Sequence, residues 1–266
     1  MRYSYLFLIF AGLLFSCKSE NLVYLSSDEV HMSAPIIQSE NLFFADSAVV
    51  TMRFSMPETI IKYTTNNSEV THTSTDYNTP IILKKSTTIQ AKNFHPDYIS
   101  GETAILKLRK TNSKLAASVI AVQPAANQRY SGTGEATLTD LKKGSLSFSN
   151  NDKWLGFQED SIRISIDFTA AKTVSKVVVS TMANHGAWIF LPHKIEVYAE
   201  QQMIGSTTIK TPQQEDITTL EFIEIPVSKN QYKELKIEII SLGEIPKWHQ
   251  GSGTIPWFFT DEILVE

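Results

Sequence analysis

Two short stretches set tryptophan beside imidazole and amide groups. In MANHGAWIFLPHKIEV, Met182 to Val197, Trp188 follows Asn184, His185 and Gly186; in PKWHQGSGTIPWFF, Trp248 and His249 precede Trp257 in a segment broken by glycine and proline. An indole face packs against the apolar C–H side of a sugar ring, and neighbouring amide or imidazole groups pair the hydroxyls that flank it. Asn184, His185, Trp188, Trp248 and His249 are therefore the candidate carbohydrate contacts. The same segments also suit packing. WIFLP reads as a buried loop plug, and WFF runs straight into a strand, where alternation sends at least one ring inward. Phe190, Phe258 and Trp257 are assigned to the core, Trp154 in KWLGF is assigned to packing, and Trp188 and Trp248 stay open between core and contact.

Other chemistry is poorly represented. No Gly-x-Ser-x-Gly elbow, phosphate-cradling glycine loop or His-Glu-x-x-His helix occurs. His185 and His193 are too loosely spaced to argue for zinc. Asp261 and Glu262 are adjacent carboxylates, but in a terminal strand successive side chains are expected to face opposite ways, so the pair is not expected to flank one glycosidic bond. A non-enzyme is the expectation. The 266 residues carry 24 basic and 28 acidic side chains, a formal charge of 24 − 28 = −4, which gives no reason to expect a nucleic-acid partner. At 42% hydrophobic residues the chain has material for one or two cores.

The elements that must position these residues are strands. From Pro35 to Lys110, AVVTMRFS, TIIKYTT, PIILKKSTTIQAKNF and TAILKLRK alternate or run in β-branched residues, and a Thr/Asn/Ser-rich loop between them can satisfy its backbone locally. From Ala117 to Glu266 the strands recur as ISIDF, VSKVVVSTM, KIEVYAE, EFIEIPV, ELKIEII and EILVE. The fold class is all-β: a small Ig-like or Fn3-like β-sandwich over residues 35–110, a linker at 111–116, and a jelly-roll β-sandwich over 117–266. Before them, an apolar run after Arg2 has the length of a signal-peptide h-region and ends in LLFSC, whose Cys17 is the only cysteine. Leu14-Phe15-Ser16-Cys17 resembles a bacterial lipobox, which implies a signal peptide over 1–16, lipidation of Cys17 and attachment to a membrane by acyl chains. Residues 17–34 are polar and read as a tether, so the folded part is expected to start near Pro35.

The run from Ile61 to Phe94 resembles the chitobiase/β-hexosaminidase C-terminal-like module in its Tyr-Thr-Thr strand, its Ser-x-x-Thr loop, its tyrosine and proline, and its Thr-Thr-Ile-x-Ala strand. Asn66-Asn67 stands where that family usually has Asp-Gly, and asparagine tolerates the left-handed conformation the turn needs. The second unit resembles a discoidin-type (F5/8 type C), galactose-binding-like domain, of the kind attached to family 20 glycoside hydrolases of Bacteroidetes, through LTDLKKGS, WLGF, GAWIFLP and WFFTDEILVE. The first resemblance implies a spacer or appendage without activity of its own. The second implies a structural calcium ion joining an early loop to the terminal strand, and Asp140, Ser145 and Glu262 match those positions with the oxygen ligands calcium prefers. The alternative is that Asp140 caps a turn, Ser145 fills one and Glu262 is solvated.

Together these readings describe a non-catalytic lipoprotein of the outer membrane that holds a hexosamine- or galactose-containing glycan for a partner glycoside hydrolase. An accessory protein-interaction subunit, or the remnant of a family 20 β-hexosaminidase, is the alternative. The catalytic barrel of such an enzyme needs roughly 250 residues of its own, for which the chain has no room.

Overall fold

The computed structural model describes residues 26, 29–112, 115, 118–148, 152–216 and 218–266, and is all-β. Cys17 and the apolar leader lie outside the described residues. The first unit holds β1 (Ile36–Gln38), β2 (Phe43–Phe44), β3 (Ala48–Arg53), β4 (Ile60–Thr64), β5 (Thr75–Asp76), β6 (Ile81–Leu83), β7 (Thr87–Phe94) and β8 (Ala104–Lys110). They form a sheet of order β1-β3-β6 facing one of order β2-β8-β7-β4-β5. The period-two pattern sends Ala48, Val50 and Met52 of β3 and Ile89 and Ala91 of β7 into the core between the sheets. The Asn66-Asn67 turn survives as expected: Asn67 takes a left-handed φ of 61°, and Asn66 Oδ1 accepts from the Ser68 amide.

The folded part begins earlier than Pro35. His31 bridges Ile99, the Met32 amide donates to the Ile99 carbonyl at 2.9 Å, and the Met32 side chain is buried. Met32 is an apolar residue in a polar stretch, and it gives residues 30–34 a reason to dock. The linker is anchored in the same way, by Thr111 on the Phe44 carbonyl and by Leu115 in the core of the second unit.

The second unit comprises β9 (Val119–Gln123), β10 (Gly132–Glu135), β11 (Leu155–Phe157), β12 (Ser161–Ala183), β13 (Lys194–Ala199), β14 (Gln202–Thr208), β15 (Thr219–Ile240) and β16 (Phe258–Val265). Segments that read in sequence as separate strands are continuous: ISIDF and VSKVVVSTM are both β12, and EFIEIPV and ELKIEII are both β15. Register shifts between Asp167 and Lys172 and between Val174 and Lys176 bend β12. Its first half therefore pairs with β9, and its second half with β16, while β15 follows it throughout. Ile162, Ile164, Ile166, Val177 and Val179 face a core shared with Ile237, Ile239, Ile263 and Val265.

The second half of β12 and all of β16 are buried on both faces. One face meets the sandwich core. The other meets the 137–148 loop and the first unit, through a cluster of Phe43, Val178 and Leu264 with Phe222, whose ring lies 5.5 Å from that of Phe43. Alternation along β8 puts Ile105, Lys107 and Arg109 on the face opposite Leu108, and this face turns toward the second unit. Lys107 pairs with Glu221, and the Arg109 guanidinium forks to Glu224 at 2.5 Å and Glu266 at 2.9 Å.

Arg109 is buried while its carboxylate partners keep contact with solvent, so its removal costs less than breaking a fully buried pair. Arg109→Ala is expected to lower unfolding stability by about 1–3 kcal/mol in urea titrations. Arg109→Lys restores only part of that, because an ammonium cannot fork to two carboxylates.

Candidate functional site

β12 ends at Ala183, and the chain then turns sharply. The Asn184 side chain accepts from the Ala187 amide at 3.2 Å, a single 3₁₀ turn spans His185–Ala187, and Trp188 closes it at φ 64°. From there the backbone zips onto the second aromatic segment. The Trp257 amide donates to the Trp188 carbonyl and the Phe190 amide to the Trp257 carbonyl, both at 2.9 Å. Phe190 and Phe258 are core as expected; Trp257 is half-buried, edge-on to Tyr130 at 5.2 Å.

All five sequence-predicted contact residues converge at this end of the sandwich. His185 stacks on Phe190 at 4.4 Å and lies 5.4 Å from Trp248; His249 is edge-on to Trp188 at 5.8 Å and to Trp248 at 5.7 Å. Their roles differ. The Gly251 amide donates to His249 Nδ1 at 3.0 Å, so Nε2 carries the proton and donates to the His185 carbonyl at 2.9 Å. His249 thus ties the two loops together with both ring nitrogens. Trp188 is half-buried against Gly251, where an added Cβ would sit 2.9 Å from the indole. Half-buried Trp248 and His185 complete the cluster, and the side-chain oxygen of Asn184 caps the turn. Burial holds the His185 imidazole below its usual range against the opposing charge of Asp216, so it is neutral at neutral pH. Its Nδ1 is buried with no hydrogen-bond partner among the described residues.

The loop-to-terminal-strand region is held by contacts between residues far apart in sequence. A bulge in β16 opposite Ser180 and Thr181 breaks the alternation at Asp261, so Asp261 and Glu262 both reach the 141–144 segment. This corrects the expectation of opposite faces. Asp261 accepts from Lys143 Nζ at 2.8 and 3.0 Å and from the Gly144 amide at 2.5 Å, and its side chain is 0% exposed. Lys143 lies 4.6 Å from the centre of the Trp154 ring, which is fully buried, as its assignment to packing required. Desolvation pulls the Lys143 pKa down, opposed by Asp261. Glu262 is no solvated residue: it is buried, and accepts from the Leu141 amide at 2.7 Å. Burial, with the charges of Asp261 and Asp140 adding to it, pushes its pKa up to about 9. Nothing in the sequence pattern marked Lys143 and Asp261 as partners 118 positions apart.

Of the three expected calcium ligands, Asp140 and Glu262 lie close enough for one charge to act on the other. Ser145 is engaged elsewhere, its hydroxyl donating to the Ser147 carbonyl and its carbonyl accepting from Trp154 Nε1, both at 3.0 Å. No group of three or more His, Cys, Asp or Glu side chains set to hold a metal occurs among the described residues. Asp140 Oδ1 accepts from the Lys142 amide at 2.8 Å, so this carboxylate caps the turn beside Glu262.

Residues 41–105 match the model of the chitobiase/beta-hexosaminidase C-terminal domain, inside the unit expected at 35–110. No curated protein shows a significant match. Among solved structures, the chain is similar to the CBM32-1 and CBM32-2 domains of ZmpB from Clostridium perfringens, at 12% identity and a TM-score of 0.36, over 55% of this chain and 34% of that one. It is also similar to module CBM32-5 from Clostridium perfringens, solved with GalNAc-β-1,3-galactose, at 11% identity and a TM-score of 0.37, over 57% of this chain and 96% of that one. A SusE-like protein aligns over 86% of this chain and 95% of its own length, at 11% identity and a TM-score of 0.38.

Removing one partner of a buried ion pair strands the other. Asp261→Ala is expected to lower stability by about 3–5 kcal/mol in chemical denaturation, and the double variant Lys143→Met, Asp261→Leu to lose less than the single one.

Proposed function

We propose that this protein is a non-catalytic lipoprotein of the cell envelope, anchored through Cys17, that binds a hexosamine- or galactose-containing glycan at the loop end of its second unit. The observation that carries the reading is the convergence of Trp248, Trp188 and His185 from two loops, a half-buried aromatic shelf with an imidazole at its edge. His249 and Asn184 hold those loops in place. A sugar ring set on Trp248 buries its C–H face, and its hydroxyls meet the groups around it. Affinity for one sugar is expected to be weak, and the glycan is delivered to a separate glycoside hydrolase at the outer membrane. The alternative, an accessory subunit that docks on another protein, draws on a different surface: Val49 and Ile82 face each other across β3 and β6 and are 50% and 64% exposed.

A glycan-array screen of residues 18–266 tests the first reading against Trp248→Ala. Selective binding that the variant loses supports it. A folded wild type that retains no glycan overturns it in favour of the docking role.

In the same proposal Asp140 and Glu262 hold a calcium ion, which neutralises their charge and pins the 137–148 loop to β16. With chelator present, folded Glu262 keeps its proton up to about pH 9. The unfolded chain loses that proton near pH 4.3, so the folded state binds more protons between these values. Stability then falls as pH rises through this window, by at most about 1.4 kcal/mol per pH unit. Thermal melts are expected to show that slope in EDTA, a smaller one in calcium chloride, and neither slope nor calcium response in Glu262→Gln.

A further inference from the structure

The aromatic shelf does not end at His185. The same residue lines a cavity of about 360 Å³ between the two units, within the range of about 300–1,000 Å³ usual for small-ligand sites. The first unit supplies Ile105 and Lys107 from the outward face of β8. The second supplies Ile209, Pro212 and Asp216 from the connection between β14 and β15, and Glu221 from β15. The walls are thus mixed: aliphatic surface from Ile105, Ile209 and Pro212, and hydrogen-bonding groups from the Lys107–Glu221 pair, His185 and Asp216.

We propose that this cleft is a second subsite, which receives the next sugar residue of a glycan held on Trp248, so that the protein reads an oligosaccharide with both of its units. The proposal rests on the carbohydrate reading above. Three features carry it. His185 belongs to both places, stacked in the aromatic cluster through Phe190 and lining the cleft, so a ligand leaving the shelf on that side enters the cleft. The wall chemistry matches a sugar, whose C–H faces and acetamido methyl groups suit the aliphatic side chains while its hydroxyls suit the charged pair and Asp216. Third, the two units are held together by the Arg109 fork and the Phe43–Phe222 contact, so the cleft keeps its shape before a ligand arrives and ordering it costs little on binding. The first unit is then part of the recognition surface.

Isothermal titration of the mature chain with two ligand pairs tests this: N-acetylgalactosamine against GalNAc-β-1,3-galactose, and N-acetylglucosamine against its β-1,4-linked trimer. Wild type is expected to bind the longer member of one pair about tenfold more tightly than the shorter. Ile105→Trp and Thr211→Trp fill the cleft from opposite walls, and because both residues are exposed neither disturbs a core. Each is expected to bring the ratio of affinities close to one. Equal affinities for long and short ligands in wild type, or a length preference that survives both variants, overturns the subsite and leaves the shelf standing. If wild type binds neither member of either pair, the carbohydrate reading falls and the subsite falls with it.

Discussion

The terminal strand β16 is enclosed on both faces, and the rest of the second unit is arranged around that enclosure. Toward the inside, Phe258, Ile263 and Val265 enter the sandwich core. Toward the outside, Leu264 meets Phe43 of the first unit, and Asp261 and Glu262 meet the 141–144 segment. Two buried carboxylates in one strand can persist only if each is paired or neutral. Asp261 is paired, by an ammonium and a backbone amide. Glu262 is neutral, because burial pushes its pKa up to about 9. The loop over them is held by these groups, and Gly144 allows the approach because a side chain there would run into the Trp154 ring.

That closure also decides what the aromatic end can do. β16 begins where the Trp257 backbone is already bonded to Trp188 and Phe190, so the loop carrying His185 is registered to the strand that anchors the fold. The 245–254 loop is closed on itself between Ile245 and Thr254 and tied across by His249. Neither Trp188 nor Trp248 hangs from a free loop. Rings held in this way are preorganised and have little conformational entropy left to lose in a contact. Among the five residues, the division is between those that hold the loops, His249 and Asn184, and those whose rings stay half-buried at this end, Trp248, Trp188 and His185.

The contact between the units follows from simple alternation. In a five-stranded sheet with one face in its own core, the other face of β8 carries Ile105, Lys107 and Arg109, and an Arg-Lys stripe meets the acidic edge formed by Glu221, Glu224 and Glu266. Charge complementarity fixes the pairing, and the Phe43, Phe222, Val178 and Leu264 cluster supplies the apolar burial beside it. The first unit is packed against the second, and the cleft they share is a product of that packing.

Much of this was legible in the chain. Alternating β-branched runs determined an all-β fold in two units, because a period of two has only one common structural solution. The Asn66-Asn67 turn and the self-bonded Thr/Ser loop followed from the local hydrogen-bonding capacity of those side chains, Phe190 was assigned inward as part of a loop plug, and Phe258 from the alternation of the strand it enters. The residues of the aromatic end were likewise recognisable by type. What only the tertiary structure decided depends on partners distant in sequence. A bulge turned Asp261 and Glu262 toward one loop, Lys143 found Asp261 across the fold, and Met32 drew part of the supposed tether onto the first unit. Both nitrogens of His249 were taken by neighbours, and β12 and β15 each joined two apparent strands. Local pattern fixes period and propensity, whereas the environment of a charge or a ring is set by whatever the fold brings against it, and no short window of sequence contains that.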